Sequence, residues 1–302
     1  MRDAFSNALV AAAQADPRVL LLTGDHGYAL FDAFRKACPN QYINCGIAEQ
    51  NMVGVAAGLA KAGYRPVVYG LAAFVPVRVV EQIKIDICYE QLPVILIGDG
   101  AGVVYSHLGA SHQSFEDISV LRPIPHLSIY SPADRHELTA SMGAMLASNS
   151  ACYMRMGKAD LGDIHTSIPR SGRDLLKVTD SGEQTLIVAT GAGVSIARKV
   201  REAIGGAAIY SAIRVKPLSA DEILTAANGR SHIIVIEEHS IYGGLASSVA
   251  ETLVGHYVGA FQRFGINDRF SETCGDYQHL VHEHNFDASS IAEAVLLKNK
   301  LY

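Results

Sequence analysis

Charge is scarce in this 302-residue sequence: Asp, Glu, Lys and Arg make up 18% of it, against roughly a quarter in an ordinary globular chain. A chain so poor in charge and rich in Ala, Gly and Val hides much of its surface against other subunits, so an oligomer is expected. Lys and Arg form no cluster or arm, and the formal net charge is −5. That excludes the basic footprint of a nucleic-acid-binding protein. The five cysteines (Cys38, Cys45, Cys88, Cys152 and Cys274) are dispersed, with no close pair. Such a set reads as reduced thiols, neither a disulfide framework nor a redox or metal pair. No apolar run reaches membrane-spanning length, and Met1-Arg2-Asp3-Ala4 lacks the core of a signal peptide. A soluble, cytoplasmic protein without membrane contact is expected.

What is present is apolar sequence in short blocks. Apolar residues make up 49% of the chain, and its length fits two domains. The pattern predicts strands over 19–23, 42–44, 65–69, 93–97, 126–130 and 152–156, with helices over 5–15, 48–62, 75–90, 115–121 and about 131–147. In the last of these Ser131 is expected as N-cap with Pro132 at the first helical position. Strands alternating with helices imply an α/β fold whose parallel sheet is covered on both faces. Ligands of such sheets sit at the carboxyl ends of the strands. The polar residues fall there: Asp25, Asn44, Glu49, the loop over 99–112, and Arg155. Periodicity then fades, with Gly162, Pro169 and Ser171-Gly172 as breakers, and restarts near 185. We read a first domain over 1–160, a linker over 161–183, and a smaller α/β domain over 184–302.

Single motifs carry little. Gly191-Ala192-Gly193 follows a strand, but position 196 is Ile and no acidic residue ends the next strand, so it reads as a tight turn and not a dinucleotide site. Gly98-Asp99-Gly100 could begin a magnesium–diphosphate motif, yet no asparagine lies between Ile118 and His136 to complete one. His279, His282 and His284 do not share one helix face and read as a solvated helix and turn. Cys45 reads as packing. His107 and His112, on a glycine-bearing loop at a strand's carboxyl end, are better candidates for ligand contact. Glu49 opens the segment 49–62, whose residues are mostly small and apolar. By itself a first-turn glutamate complements the helix dipole, worth about 0.3–1 kcal/mol.

Four separated blocks change that weighting. They are Gly46-Ile47-Ala48-Glu49-Gln50-Asn51-Met52 with Ala56-Ala57-Gly58-Leu59-Ala60; Ser111-His112-Gln113-Ser114-Phe115-Glu116-Asp117; Ser131-Pro132-Ala133-Asp134; and Glu237-Glu238-His239-Ser240 with Gly243-Gly244-Leu245. In this order they resemble the carboxyl-terminal half of the transketolase family of thiamine-diphosphate enzymes, over nearly the whole chain. The resemblance implies a pyrimidine-binding domain of the thiamine-diphosphate fold followed by a smaller transketolase-type C-terminal domain. The family's diphosphate-binding domain, with its Mg2+ site, would then lie on a separate N-terminal subunit, the two forming a dimer of heterodimers, a heterotetramer. Such an enzyme of carbohydrate metabolism moves a two-carbon ketol unit from a ketose donor to an aldehyde acceptor.

By the same resemblance the Glu49 carboxyl would hydrogen-bond a ring nitrogen of the cofactor's aminopyrimidine and so activate it. Asp25, Leu71 and Phe74 would fall near the cofactor. His112 would bind the donor's hydroxyketone end, and Arg155 would face the acceptor's anionic group. The sequence departs from ordinary transketolases at Leu71, where an aromatic residue is usual, and at Leu108, where an aspartate reads an acceptor hydroxyl. Ala29 and Gly100 stand where a serine and a histidine surround the acceptor phosphate. With His107 added, these changes imply an unusual acceptor. A deoxyxylulose-phosphate-synthase-like enzyme, the β subunit of a 2-oxo acid dehydrogenase and a non-catalytic assembly subunit are the alternatives.

Overall fold

A computed structural model describes residues 1–27, 29–157, 160–170 and 172–299. In chain order its first half contains α1 (Arg2–Ala15), β1 (Val19–Thr23), α2 (Asp32–Ala37), β2 (Tyr42–Asn44), α3 (Glu49–Lys61) and β3 (Arg65–Leu71). There follow α4 (Val80–Gln82, running on as a π-helix over Ile83–Tyr89), β4 (Ile95–Asp99), α5 (Asp117–Leu121), β5 (Leu127–Tyr130), α6 (Arg135–Ala147) and β6 (Ala151–Met156). The second half contains β7 (Leu175–Thr179), β8 (Thr185–Thr190), α7 (Gly193–Ala203), β9 (Ala208–Ala212), β10 (Arg214–Lys216) and α8 (Ala220–Ala227). It ends with β11 (His232–Ser240), α9 (Leu245–Leu253), β12 (Ala260–Ile266), α10 (Tyr277–Glu283) and α11 (Ala288–Asn299). No helix among the described residues is long and apolar enough to cross a membrane.

The strands of the first sheet are continuous apolar runs because both of its faces are covered. Leu20 and Leu22 of β1 pack with Met52, Val53 and Ala56 of α3, whereas Val19 and Leu21 pack with Phe5 and Leu9 of α1. The strand order is β10-β5-β6-β4-β3-β1-β2, parallel apart from β10. Register brings the carboxyl ends into one row, with Thr23 opposite Asn44 and Tyr69, Leu71 opposite Asp99, and Asp99 opposite Met156. The second sheet has the order β12-β11-β8-β9-β7, with β7 antiparallel.

Three expectations need correction. Part of the stretch read as linker is strand β7, which closes the edge of the second sheet on β9; Ser171 lies outside the described residues. Strand β10, three residues of the second half, adds antiparallel to β5 of the first sheet, so the halves share a sheet edge. Helix α6 starts later than expected: its N-cap is Asp134, whose side chain accepts from the His136 and Glu137 N–H groups, and not Ser131. Ser131 instead joins the halves, its carbonyl accepting from the Gly191 N–H and the Thr190 hydroxyl. Helix α3 is buried on one face. Asn51, Gly54, Val55 and Gly58 are exposed along its other side, beside an Ile47 that is 75% exposed.

Candidate active site

The turn from β2 into α3 sets the position of Glu49. Asn44 Oδ1 accepts from the Gly46 N–H at 2.8 Å, and Gly46 has φ +71, a conformation costly for any other residue. The chain therefore reverses sharply, and Glu49 opens the helix beneath the row of strand ends. Its side chain is only 5% exposed. Oε2 accepts from Arg78 Nη1 at 3.1 Å, and His26 Nε2 stands 3.9 Å from Oε1. Arg78 is itself half exposed, so this is one solvated partner and one distant one for a buried carboxylate.

An aromatic wall stands beside it. The Arg78 guanidinium lies 4.3 Å over the Phe74 ring, which meets His112 edge-on at 5.4 Å and His26 at 6.3 Å. His112 is half-buried, with Nδ1 3.0 Å from the Ser111 hydroxyl. Leu71 is half-buried at the end of β3, and Asp25 is exposed at the end of β1. His107 is exposed on the loop after β4. The row of strand ends thus brings Glu49, Phe74 and His112 together.

His26 and Arg78 belong to this cluster and sequence reasoning missed both. His26 follows Asp25 directly at a strand's carboxyl end, the place already marked as a binding edge. Arg78 lies four residues beyond Phe74, close enough to fold back over it. His26 Nε2 is buried without a hydrogen-bond partner among the described residues. An unpaired buried nitrogen is costly in a finished core, and beside Glu49 it leaves bonding capacity for a water or a ligand group.

Arg155 corrects the sequence reading. It is 2% exposed, and its hydrogen bonds run to groups within the chain. Its Nε bonds both oxygens of Asp117 at 3.0 and 2.9 Å, and Nη2 donates to the Ser114 and Glu238 carbonyls. Burial works against its charge, but Asp117 and Glu238 outweigh that and hold its pKa above the usual value. The carboxyl of Glu238, 1% exposed, accepts from the Val103 N–H at 2.8 Å and the Tyr277 hydroxyl at 2.6 Å. Burial raises the Glu238 pKa, with Tyr277 and Val103 opposing. Arg155 is therefore part of the seam between the halves.

Other candidates resolve similarly. Asp99 accepts from the Tyr69 and Tyr105 hydroxyls at 2.7 and 3.0 Å and pairs with Arg2 at 3.1 Å. The Gly191-Ala192-Gly193 turn packs under Ser131, and a Cβ at Gly193 would lie 2.6 Å from the Ile236 carbonyl oxygen. Glu237 accepts from the Leu245 and Ala246 N–H groups and so caps α9. Cys45 is half-buried, and burial raises its thiol pKa. The three C-terminal histidines diverge: His279 bonds Thr273, His282 pairs with Asp287, and His284 bonds Ser271. His284 is buried rather than solvated. Among the described residues no group of three or more His, Cys, Asp or Glu is arranged to hold a metal ion.

Comparison with known proteins finds two family matches along the chain. Residues 1–163 match the family described as transketolase, pyrimidine binding domain, and residues 175–291 match transketolase, C-terminal domain. An apulose-4-phosphate transketolase subunit of Phocaeicola vulgatus is 34% identical over 262 residues, covering 83% of each chain. The 6-deoxy-6-sulfo-D-fructose transketolase subunit SqwH of a Clostridium species is 30% identical, covering 97% of this chain and 92% of its own. A solved structure described as a split gene transketolase, inactive beta4 tetramer, superposes with a TM-score of 0.87 at 29% identity. That superposition covers 98% of this chain and 96% of the other.

Proposed function

The chain belongs to the transketolase family, joining its pyrimidine-binding and C-terminal domains in one polypeptide, and from that premise we propose that it is one subunit of a split thiamine-diphosphate-dependent transketolase. With a separate diphosphate-binding subunit it transfers a two-carbon ketol unit from a ketose to an aldehyde. The observation that carries this reading is the state of Glu49: a buried carboxylate, bonded by one half-exposed arginine, facing an unpaired His26 nitrogen and an aromatic wall. Two relatives whose names identify them as transketolase subunits, of lengths similar to this chain, support the split arrangement.

The residues present fit the pyrimidine half of the cofactor. Leu71 and Phe74 offer apolar faces to a ring, and the Glu49 carboxyl offers a hydrogen-bonding group to a ring nitrogen. Asp25 lies on the same rim. When bound, the cofactor supplies the nucleophilic carbon and the electron sink of the reaction. The chain's own part is to hold a proton at a Glu49 oxygen, screened from water by its burial, and to orient the ketose through the imidazole of His112. His107 lies on the rim of the same loop, within the acceptor's approach. Nε and Nη2 of Arg155 are engaged by Asp117 and the Ser114 and Glu238 carbonyls, so the acceptor anion is assigned to groups elsewhere in the assembled enzyme.

Diphosphate and Mg2+ are assigned to the partner subunit, and the assembly to a dimer of heterodimers; a cytoplasmic location accompanies this reading. The pyrimidine-binding unit is assigned to 1–160 and the C-terminal unit to 184–302, with β7 counted to the latter. The test is reconstitution. The chain is mixed with a partner carrying Gly-Asp-Gly and a following asparagine, together with thiamine diphosphate, magnesium and a ketose. Donor consumption is expected from the mixture and from neither chain alone. Micromolar cofactor binding by the isolated chain in calorimetry would overturn the split site.

A further inference from the structure

The loop after β4 carries His107 and His112, yet its hold comes largely from the second domain. Its neck is closed by two bonds, Gly102 N–H to the Ser114 carbonyl at 2.8 Å and Ser114 N–H to the Gly102 carbonyl at 3.1 Å. Glu238 of β11 sits against that neck, taking the Val103 N–H. A Cβ at Gly102, where φ is +75, would come within 2.1 Å of Glu238 Oε1, so only glycine admits this contact. Arg155 ties the other side of the neck, through the Ser114 carbonyl, to the backbone of Glu238. At the loop's far end Gly109 packs toward Cys274.

The residue after His112 is held too. Gln113 is 5% exposed, and its Oε1 accepts from the Ser271 hydroxyl at 2.7 Å. The Ser271 oxygen lies 2.8 Å from Nε2 of His284, which is 1% exposed. A hydroxyl has one proton to give, and here it goes to Gln113. Ser271 thus links Gln113 to His284, and Nδ1 of His284 and Nε2 of Gln113 are buried without partners among the described residues. Burial and, after it, Arg269 lower the His284 pKa, with Glu283 opposing, which favours the neutral ring. The relay runs from α10 and its following turn to the backbone neighbour of His112.

We propose that the second domain is part of the donor site, with Ser271 and His284 as positioning residues that fix His112 against Phe74 through Gln113. This rests on the donor-binding role given to His112 above. Ser271 is the residue to test, since it is only partly buried and its replacement leaves no large cavity. In the assembled enzyme Ser271→Ala is expected to raise the donor KM about threefold to tenfold, the range of one hydrogen bond, with thiamine diphosphate affinity unchanged. Ser271→Thr, which keeps the hydroxyl, should restore it.

Two readouts separate positioning from general damage. In a His112→Ala background, Ser271→Ala should add nothing to the donor KM, because it acts only through that ring. Independent multiplication of the two effects would overturn the proposal. Hydrogen exchange of the isolated chain supplies a measure free of any activity. Ser271→Ala should speed exchange over residues 102–114 and leave 49–61 unchanged. An unaltered loop would overturn the proposal even if the wild-type enzyme turns over. A loosened loop in a complex that consumes no ketose would support the clamp and sink the donor reading instead.

Discussion

Glu49 and Glu238 are both almost fully buried, at 5% and 1% exposure, and they are held in opposite ways. Both Glu238 oxygens are taken, by a backbone N–H and a tyrosine hydroxyl, and its neighbour Arg155 is tied through Nε and Nη2 to Asp117 and two carbonyls. Glu49 has one half-exposed arginine at 3.1 Å and a histidine nitrogen at 3.9 Å. Burying a carboxylate costs several kcal/mol unless its bonds are supplied. The seam supplies them from within the chain; the strand ends leave them to be supplied from outside. Depth of burial therefore does not separate a structural carboxylate from a functional one, whereas the inventory of its partners does.

The largest effect should come from the open cluster. Glu49→Gln keeps the shape and removes the exchangeable carboxyl proton, so turnover of the reconstituted enzyme should fall by about 10²–10⁴-fold, the scale of positioned proton transfer. Complex formation, followed by gel filtration, should be intact; wild-type-like turnover would remove Glu49 from the chemistry. The seam should answer in stability. Arg155→Met strands the Asp117 carboxylate, 0% exposed, with the Tyr153 hydroxyl as its remaining side-chain partner among the described residues. Urea denaturation should show a loss of about 3–5 kcal/mol. If Arg155→Met folded normally and lost only acceptor affinity, the contrast between seam and strand ends would fail.

How far these two clusters could be read from sequence differs for a physical reason. The strands were legible because burial on both faces writes continuous apolar runs such as Val19-Leu20-Leu21-Leu22. The place of Glu49 at the start of α3 was legible because a strand end, a glycine turn and a small-residue helix follow one another within a few residues. Arg155 was misread since a polar residue at a strand end looks the same whether it meets a ligand or the protein. What decides is Asp117, 38 positions away, and Glu238, 83 positions away, and no local pattern connects them. Strand β10 escaped notice because Arg-Val-Lys on a sheet edge has neither length nor an apolar run. His26 and Arg78 escaped because single polar residues acquire meaning only from what stands opposite.

A third, smaller effect sharpens the open side of the comparison. His112 is half-buried and its ring bonds only Ser111 among the described residues, so the imidazole has bonding capacity left for a ligand. His112→Ala should raise the donor KM about tenfold, the upper end for one neutral hydrogen bond. Thermal stability should barely change. A large loss of Tm with unchanged KM would place His112 among the structural residues.

Glu137 lies between the two extremes and gives the smallest effect. It is fully buried and both oxygens are taken, one by the Ala133 N–H at 2.8 Å and one by His165 Nε2 at 2.8 Å. Its second partner, however, can lose its proton. The Glu137 hydrogen bond raises the His165 pKa above the ordinary histidine value of 6.5. Below pH 6.5 the imidazolium is present both folded and unfolded, and the whole interaction counts toward stability. As pH rises through the folded-state value the proton is lost and the contribution goes with it. The wild-type chain should therefore lose stability between about pH 6 and pH 9 relative to His165→Gln, by about 1 kcal/mol or less, since the pair is partly solvated. Melting curves of the two proteins at both pH values measure that difference. An equal change in both would mean that the His165 proton adds nothing to the hold on Glu137, whose partners would then be as insensitive to pH as those of Glu238.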